Sequence, residues 1–253
     1  MPDYYKSNAI YDELNKVEND FIWVIGNAWL LIYGDKNSIP KVFILVVGKS
    51  WVKQAEVIKA LRFINSKTSI PFFMIKFDDT DGSKLTKIGF VSSNEKTPTT
   101  ITLDELKYKF IEVGLDIQDG ECHKYLNDKE SSSYHKWQRS ELGFNITVTD
   151  IDLIRIDRKT GRPLEFIELK RSFLDVKKWS PYPDDFANFN LILNTIQLFK
   201  DINFYILYNQ RITKPNFIDN HDPISIFSYT INNPIVIARE MSFKDFIAGK
   251  YKT

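Results

Sequence analysis

Cysteine and histidine are scarce in this chain. It has one cysteine, Cys122, and three histidines, His123, His135 and His221. A single cysteine cannot form an internal disulfide framework or a cysteine-based zinc site, and it suits a reducing compartment. The histidines do not have the spacing of a recognised metal motif. These absences exclude disulfide-stapled scaffolds and zinc modules, and they leave carboxylates as the candidate metal ligands.

Long apolar runs are also missing. The longest strand-like run, Phe21–Tyr33, is interrupted by Asn27 and is well below the roughly 20 residues that a membrane helix needs. The first six residues lack the basic-then-apolar pattern of a secretion signal. We therefore expect a cytoplasmic protein without a membrane partner.

The net charge is only +1, so the whole chain shows no excess of either sign. A nucleic-acid surface needs its positive charge in one place, however, because phosphates are neutralised locally. Basic residues outnumber acidic ones between Leu153 and Lys178. Within this stretch we predict four contacts to nucleic acid, although a solvated charged surface explains the same residues equally well. The four residues are Arg155, Arg171, Lys177 and Lys178.

Two strand-like runs, Val148–Ile156 and Leu164–Arg171, flank a turn that contains Gly161 and Pro163. This pattern predicts a β-hairpin. Residues two apart on a strand share a face of the sheet. The second strand is mostly apolar, with the sequence Leu-Glu-Phe-Ile-Glu-Leu-Lys, which is typical of a strand inside a sheet.

Four charged side chains would meet on this hairpin. Asp150 and Asp152 share a face of the first strand, and Glu168 and Lys170 share a face of the second. Burying an unpaired carboxylate is costly, so carboxylates on apolar strands indicate a partner such as a metal ion. A salt bridge between Glu168 and Lys170 is the structural alternative.

A magnesium ion, or manganese in its place, fits this set of oxygen atoms. Mg²⁺ is usually held by one or two carboxylates together with water and substrate phosphate. Asp152 and Glu168 are the predicted ligands, with the backbone carbonyl of Leu169 as a third and Asp150 as a supporting or alternative ligand. Lys170 is placed to orient or deprotonate the attacking water, or to neutralise charge in the transition state.

These residues resemble the PD-(D/E)xK nuclease superfamily, which has the fold of restriction endonucleases. The resemblance extends over residues 131–208, with a helix, hairpin, helix and strand in that order. It implies that Asp152 and Glu168 bind the catalytic metal, that Lys170 assists the water, and that Glu141 on the preceding helix supports the metal site. Many members have Pro-Asp where this chain has Thr149-Asp150-Ile151-Asp152. The spacing to Glu168 favours Asp152 over Asp150.

Other residues near this motif allow two readings. Gln197, on the predicted helix after the hairpin, is a candidate for a supporting role at the metal or substrate, although a single Gln is more often a surface residue. Trp137, Trp179 and Tyr182 can stack on bases or pack in a core.

The two halves of the chain have the same predicted order of elements. Placing Glu18 on Glu141 also places Phe21 on Phe144, Pro40 on Pro163 and Phe43 on Phe166. An internal duplication explains these matches, and coincidence between two α/β segments is the alternative. In this alignment Trp29, Leu45 and Val47 stand where Asp152, Glu168 and Lys170 stand in the second half.

We therefore predict an α/β protein. Residues 1–115 would form a degenerate nuclease-like domain for binding or structure, 116–130 a linker, and 131–253 a restriction-endonuclease-like mixed sheet flanked by helices. The expected function is metal-dependent endonuclease activity, most simply on DNA, in restriction, defence or recombination. A nuclease-fold protein that binds nucleic acid or a partner without cutting is the alternative. One active site cuts one strand, so cutting both strands would require a homodimer or sequential nicking.

Overall fold

The computed structural model describes residues 8–78, 85–93, 95, 97–118, 120, 132–199, 201–212 and 218–252. Cys122, His123 and most of the predicted linker at 116–130 lie outside these residues. The fold is α/β, as predicted, with two mixed six-stranded sheets and helices. In chain order the elements are α1 (Ala9–Leu14), β1 (Phe21–Ile22), β2 (Ala28–Asp35), β3 (Pro40–Gly48), α2 (Ala55–Thr68), β4 (Phe72–Phe77), β5 (Lys87–Ser92), β6 (Thr99–Thr102), α3 (Leu103–Glu112), α4 (Ser133–Glu141), β7 (Ile146–Asp150), β8 (Leu153–Ile156), β9 (Pro163–Ser172), α5 (Phe186–Ile196), β10 (Asn203–Ile212), β11 (Ile218–Thr230), β12 (Asn233–Met241) and α6 (Phe243–Ile247).

The chain divides into two compact units. One, the continuous unit, is Val24–Asp150; the other, the split unit, is formed by residues 8–23 together with 151–252. These boundaries differ from the predicted division at 115 and 131. Helix α4 and strand β7 belong to the continuous unit, and α1 and β1 belong to the split unit. No helix among the described residues is long and apolar enough to cross a membrane.

The continuous unit contains the sheet with strand order β6-β5-β4-β3-β2-β7. Strands β3 and β4 are parallel and are connected through α2, and the other neighbouring strands are antiparallel. The stretch 42–47 of β3 is fully buried, which agrees with its unbroken apolar sequence. Trp29, Leu45 and Val47 are all buried, so the apolar residues that replace the charged set in the first half serve as core.

The split unit contains the sheet with strand order β1-β8-β9-β10-β11-β12. Strands β9 and β10 are parallel and are connected through α5, whereas β1, β8 and β9 form an antiparallel series. One face carries an apolar cluster that includes α1, α6, Ile167 and Leu169. The predicted second strand of the hairpin therefore lies inside the sheet as β9, between β8 and β10.

The two sheets match element by element, because each half of the chain has the order helix, three strands, helix, three strands, helix. The first helix and strand of each half, however, belong to the unit built from the other half. Strand β1 precedes β2 in the chain but pairs with β8, and β7 precedes β8 but pairs with β2. We call this arrangement the exchange of the leading segments.

The exchange corrects two predicted strands. Phe21–Tyr33 is two strands, β1 and β2, and Val148–Ile156 is likewise two strands, β7 and β8, in different sheets. Asp150 ends β7, whereas Asp152 lies after the break, so the two do not share one strand. Their spacing of two residues places side chains on a common face only while the strand continues.

Helix α4 contributes a partly buried histidine to the continuous unit. The ring nitrogen Nδ1 of His135 lies 2.9 Å from Ser132 Oγ, and its ring meets Trp29 edge-on at 4.7 Å between centroids. Burial lowers the pKa of His135 to about 4, although the nearby Asp150 carboxylate partly opposes this shift. The folded protein therefore holds this imidazole neutral.

We expect the protein to lose stability below pH 6.5 because of His135. Between about pH 6.5 and 4 the unfolded chain binds a proton that the folded chain excludes, so the free energy of unfolding falls as the pH is lowered, by at most about 3 kcal/mol. Urea unfolding at several pH values measures this slope. The slope should flatten in His135→Gln, and an unchanged slope in that variant would contradict the assignment.

Candidate functional site

The predicted pair on β9 is present, with a buried carboxylate and a partly exposed ammonium group. Glu168 is 3% exposed, and its Oε1 lies 2.9 Å from Lys170 Nζ. Lys170 also lies 3.8 Å from Asp185 Oδ2 and 5.5 Å from the ring centre of Phe189. The lysine side chain is 26% exposed, so its ammonium group lies at the boundary between the buried carboxylate and solvent.

Asp152 is held at the point where β8 begins. Its Oδ2 accepts a hydrogen bond from the backbone N–H of Leu169 at 2.7 Å, and its Oδ1 accepts one from the Tyr11 hydroxyl at 3.2 Å. The carboxylate thus takes the place that a backbone carbonyl would have in the β8–β9 ladder, and the paired strand begins only at Leu153. Asp152 is therefore fixed to the backbone of the residue next to Glu168.

The backbone carbonyl of Leu169 points to the same side of β9 as its N–H group. In an extended strand the N–H and C=O of one residue point to the same neighbouring strand. Because the Leu169 N–H binds Asp152, its carbonyl also faces the side of β9 on which Asp152 lies. The start of β8 and the adjoining part of β9 therefore present carboxylate and carbonyl oxygens within one short segment.

The residues that surround Glu168 and the tyrosine that binds Asp152 come from opposite faces of the sheet. Glu168 and Lys170 point to the face where α5 supplies Phe189, whereas Leu169 belongs to the apolar cluster of the other face. Tyr11 is part of that same cluster. The hydroxyl that reaches Asp152 therefore comes from the face opposite to the one that carries Glu168.

The other two acidic candidates lie in the continuous unit. Glu141, at the end of α4, makes an ion pair with Lys107 at 2.8 Å. Asp150, at the end of β7, pairs through its backbone with Leu31. The helix that leads the split unit is α1, so the supporting residue predicted on the preceding helix belongs to a different unit from Asp152.

Gln197 lies at the end of α5 and is exposed. Phe189, which contacts Lys170, is about two helical turns earlier, and this separates the two residues by about 12 Å along the helix axis. Gln197 is therefore not brought to the Glu168–Lys170 pair.

Three of the four predicted phosphate contacts form ion pairs with carboxylates, and Lys177 is the most exposed of these three. Arg155 donates to Glu165 at 3.1 Å, and Arg171 donates to Asp219 at 2.7 Å. Lys177 and Lys178 are exposed, and a hydrogen bond to Glu240 at the surface raises the pKa of Lys177. The structure thus leaves Lys177 and Lys178 as the accessible cations of this set.

Most of the aromatic residues that were candidates for stacking on bases pack inside the protein instead. Trp179 is buried and stacks on Tyr208 with centroids 4.2 Å apart and planes 5° apart. Trp137 is buried and contacts Phe110. Tyr182 is half-exposed and keeps an accessible ring.

Oxygen donors, rather than a large acidic cluster, define this site. No group of three or more His, Cys, Asp or Glu side chains among the residues that the structure describes could hold a metal ion. The site offers the carboxylates of Asp152 and Glu168 and the backbone carbonyl of Leu169, which are oxygen atoms of the kind that Mg²⁺ takes as ligands. Sequence reasoning missed Tyr11 and Asp185. Tyr11 was detectable only by alignment with Tyr134, its counterpart in the second half.

Comparison with known proteins adds little. No protein-family model and no curated protein matches this sequence. Among solved structures, the chain has 12% identity to one titled "Crystal structure of Sex pheromone staph-cAM373 precursor", over 90% of this chain and 80% of that one, with a TM-score of 0.17. A TM-score of this size supports no conclusion about fold or function.

Proposed function

We propose that the protein is a divalent-metal-dependent endonuclease that hydrolyses phosphodiester bonds in DNA, with its site on the split unit. Asp152, Glu168 and the Leu169 carbonyl would hold Mg²⁺ or Mn²⁺, and Lys170 would orient the attacking water. The observation that carries this proposal is the ion pair between the buried Glu168 and the partly exposed Lys170 on an interior strand, beside an aspartate fixed to the Leu169 backbone.

The order of elements supports the resemblance to PD-(D/E)xK nucleases. The resemblance implies a helix, hairpin, helix and strand over residues 131–208. In the split unit α1 stands in place of the predicted first helix, and the β8–β9 hairpin, α5 and β10 follow. The parallel pair β9–β10 is connected through α5, and Glu168 and Lys170 lie toward the carboxyl end of β9. In sheets with parallel strands, ligands commonly bind at these carboxyl ends.

The donor set fits a hard cation. A bound metal supplies charge stabilisation at the attacked phosphate and lowers the pKa of a coordinated water. In this chain Glu168 holds the ammonium group of Lys170 at the solvent boundary, and Asp185 keeps it there from the side of α5. Lys170 is thus placed to hydrogen-bond water or a phosphate oxygen, while Lys177 and Lys178 offer exposed positive charge to the DNA backbone.

A second candidate is a nuclease-fold protein that binds nucleic acid without cutting it. The observation that favours it is that both oxygens of Asp152 and the ammonium group of Lys170 already have protein partners. In that case the pair on β9 stabilises the strand, and the exposed lysines alone contact phosphate.

Cleavage of supercoiled plasmid DNA tests the proposal. We expect nicking or linearisation with Mg²⁺ or Mn²⁺ and none with EDTA. Glu168→Gln keeps the shape of the side chain and removes its charge, so we expect a loss of roughly a hundred- to a thousand-fold in rate, corresponding to several kcal/mol of transition-state stabilisation.

Glu165 on the same strand provides a matched control. It is as buried as Glu168 but accepts hydrogen bonds from Arg155 and Tyr251 instead. Glu165→Gln should retain cleavage if the variant is folded by circular dichroism. Failure of the wild-type protein to cut duplex DNA, single-stranded DNA and RNA with either metal would overturn the enzyme reading.

A further inference from the structure

The Tyr11 hydroxyl contacts Asp152, although the nuclease-like motif contains no residue in this role. It comes from α1, the helix that leads the split unit, and donates to Asp152 Oδ1 at 3.2 Å. Tyr11 is 6% exposed and packs in the apolar cluster with Leu169, with its ring 5.7 Å from that of Trp23. The ring is therefore fixed by packing, and the hydroxyl is fixed with it.

The two hydrogen bonds to Asp152 define the orientation of its carboxylate. Leu169 N–H holds Oδ2 and Tyr11 holds Oδ1. A carboxylate oxygen has two acceptor directions, so a hydrogen bond along one of them does not by itself exclude a cation along the other. Groups that hydrogen-bond a metal-ligating carboxylate orient it, and their loss typically weakens metal binding by 10- to 100-fold.

The continuous unit shows the contacts of the corresponding tyrosine where tryptophan stands in place of Asp152. Tyr134 is the counterpart of Tyr11 in the alignment of the two halves, and Trp29 is the counterpart of Asp152. In the continuous unit the Tyr134 hydroxyl lies 3.0 Å from the Tyr33 hydroxyl, which also donates to Gln138. The buried tyrosine is thus common to both units, whereas its bond to a carboxylate is specific to the split unit.

We propose that Tyr11 is a positioning residue for a metal ion at Asp152, and that α1 supplies through this hydroxyl the support that the resemblance assigns to Glu141. This inference rests on the proposed function for the role of Asp152. Tyr11 acts through Asp152 and makes no contact with the reacting phosphate.

Mn²⁺ binding by the intact protein, measured by isothermal titration calorimetry and by the electron paramagnetic resonance signal of free Mn²⁺, tests the inference without DNA. We expect Tyr11→Phe to weaken Mn²⁺ affinity by about 10- to 100-fold. Tyr134→Phe, which removes the equivalent hydroxyl in the other unit, should leave the affinity unchanged. Thermal unfolding of both variants accounts for any common effect of losing a buried hydroxyl.

Cleavage assays separate the two proposals. If Tyr11 acts on the metal site, Tyr11→Phe needs more Mn²⁺ for half-maximal cutting and regains most of the wild-type rate at saturating metal. Wild-type affinity in Tyr11→Phe would overturn the inference while leaving the nuclease proposal intact. Metal binding without any cleavage would overturn the nuclease proposal, and the role of Tyr11 would still be supported if Tyr11→Phe weakens that binding. Absence of Mn²⁺ binding in the wild-type protein would overturn both proposals.

Discussion

A fragment of residues 131–253, which the sequence alone would select as the catalytic domain, is expected to remain unfolded in isolation. It lacks α1 and β1, whose side chains are buried in the split unit. Each such side chain contributes about 1.5–3 kcal/mol when buried, so the set contributes roughly 7–15 kcal/mol, as much as the whole stability of a typical domain. The lost side chains are Ile10, Tyr11, Leu14, Phe21 and Ile22. Circular dichroism and amide proton dispersion in NMR spectra measure the outcome.

A second engineered chain, which contains the whole split unit, tests the same division into units and is expected to fold. Strands β1 and β8 are antiparallel neighbours, with Ile22 opposite Ile154, so Trp23 and Ile151 can be joined by a hairpin of about two to five residues. Residues 8–23 joined in this way to 151–252 should fold. A folded 131–253 fragment, or an unfolded joined chain, would contradict the division into continuous and split units.

The second large effect is expected on stability when the Glu168–Lys170 ion pair on β9 is broken. Lys170→Met leaves the Glu168 carboxylate buried without its cation, and breaking a buried ion pair in this way costs about 3 kcal/mol or more. Glu168→Gln combined with Lys170→Met removes both charges, so we expect most of the stability to return. Urea unfolding of the two single variants and the double variant measures the coupling.

The same variants separate catalysis from packing. If the pair only stabilises β9, the double variant should regain every property of the wild type along with its stability. If Glu168 and Lys170 act on the phosphodiester, the double variant should be stable and inactive. Recovery of cleavage in the double variant would remove both residues from the proposed mechanism.

Much of the local structure was predictable. The apolar alternation around Glu168 places that residue inside a strand, and the Gly161–Pro163 turn predicts the β8–β9 hairpin, because both signals depend only on neighbouring residues. The α/β class and the shared order of elements in the two halves follow from the same local signals.

The sheet that each strand joins was not predictable from the sequence. Apolar periodicity shows that Phe21 and Val148 lie in strands, but it carries no information about which sheet each strand enters. The side-chain bond from Asp152 to the Leu169 backbone is what marks the break before β8, and such a bond is a tertiary contact. For this reason the sequence alone groups Glu141 with Asp152 and does not connect Asp152 with Tyr11, which is distant in the chain.

The exchange of the leading segments also has an evolutionary consequence. Phe21 lies in the first half of the chain, yet its ring stacks on Phe246 of the second half, with 5.2 Å between the ring centroids. If the two halves arose by duplication, two separate copies would reproduce this arrangement only as a dimer that swaps its first helix and strand. In this chain, a substitution in the leading segment of one half therefore acts on the core of the unit that contains most of the other half.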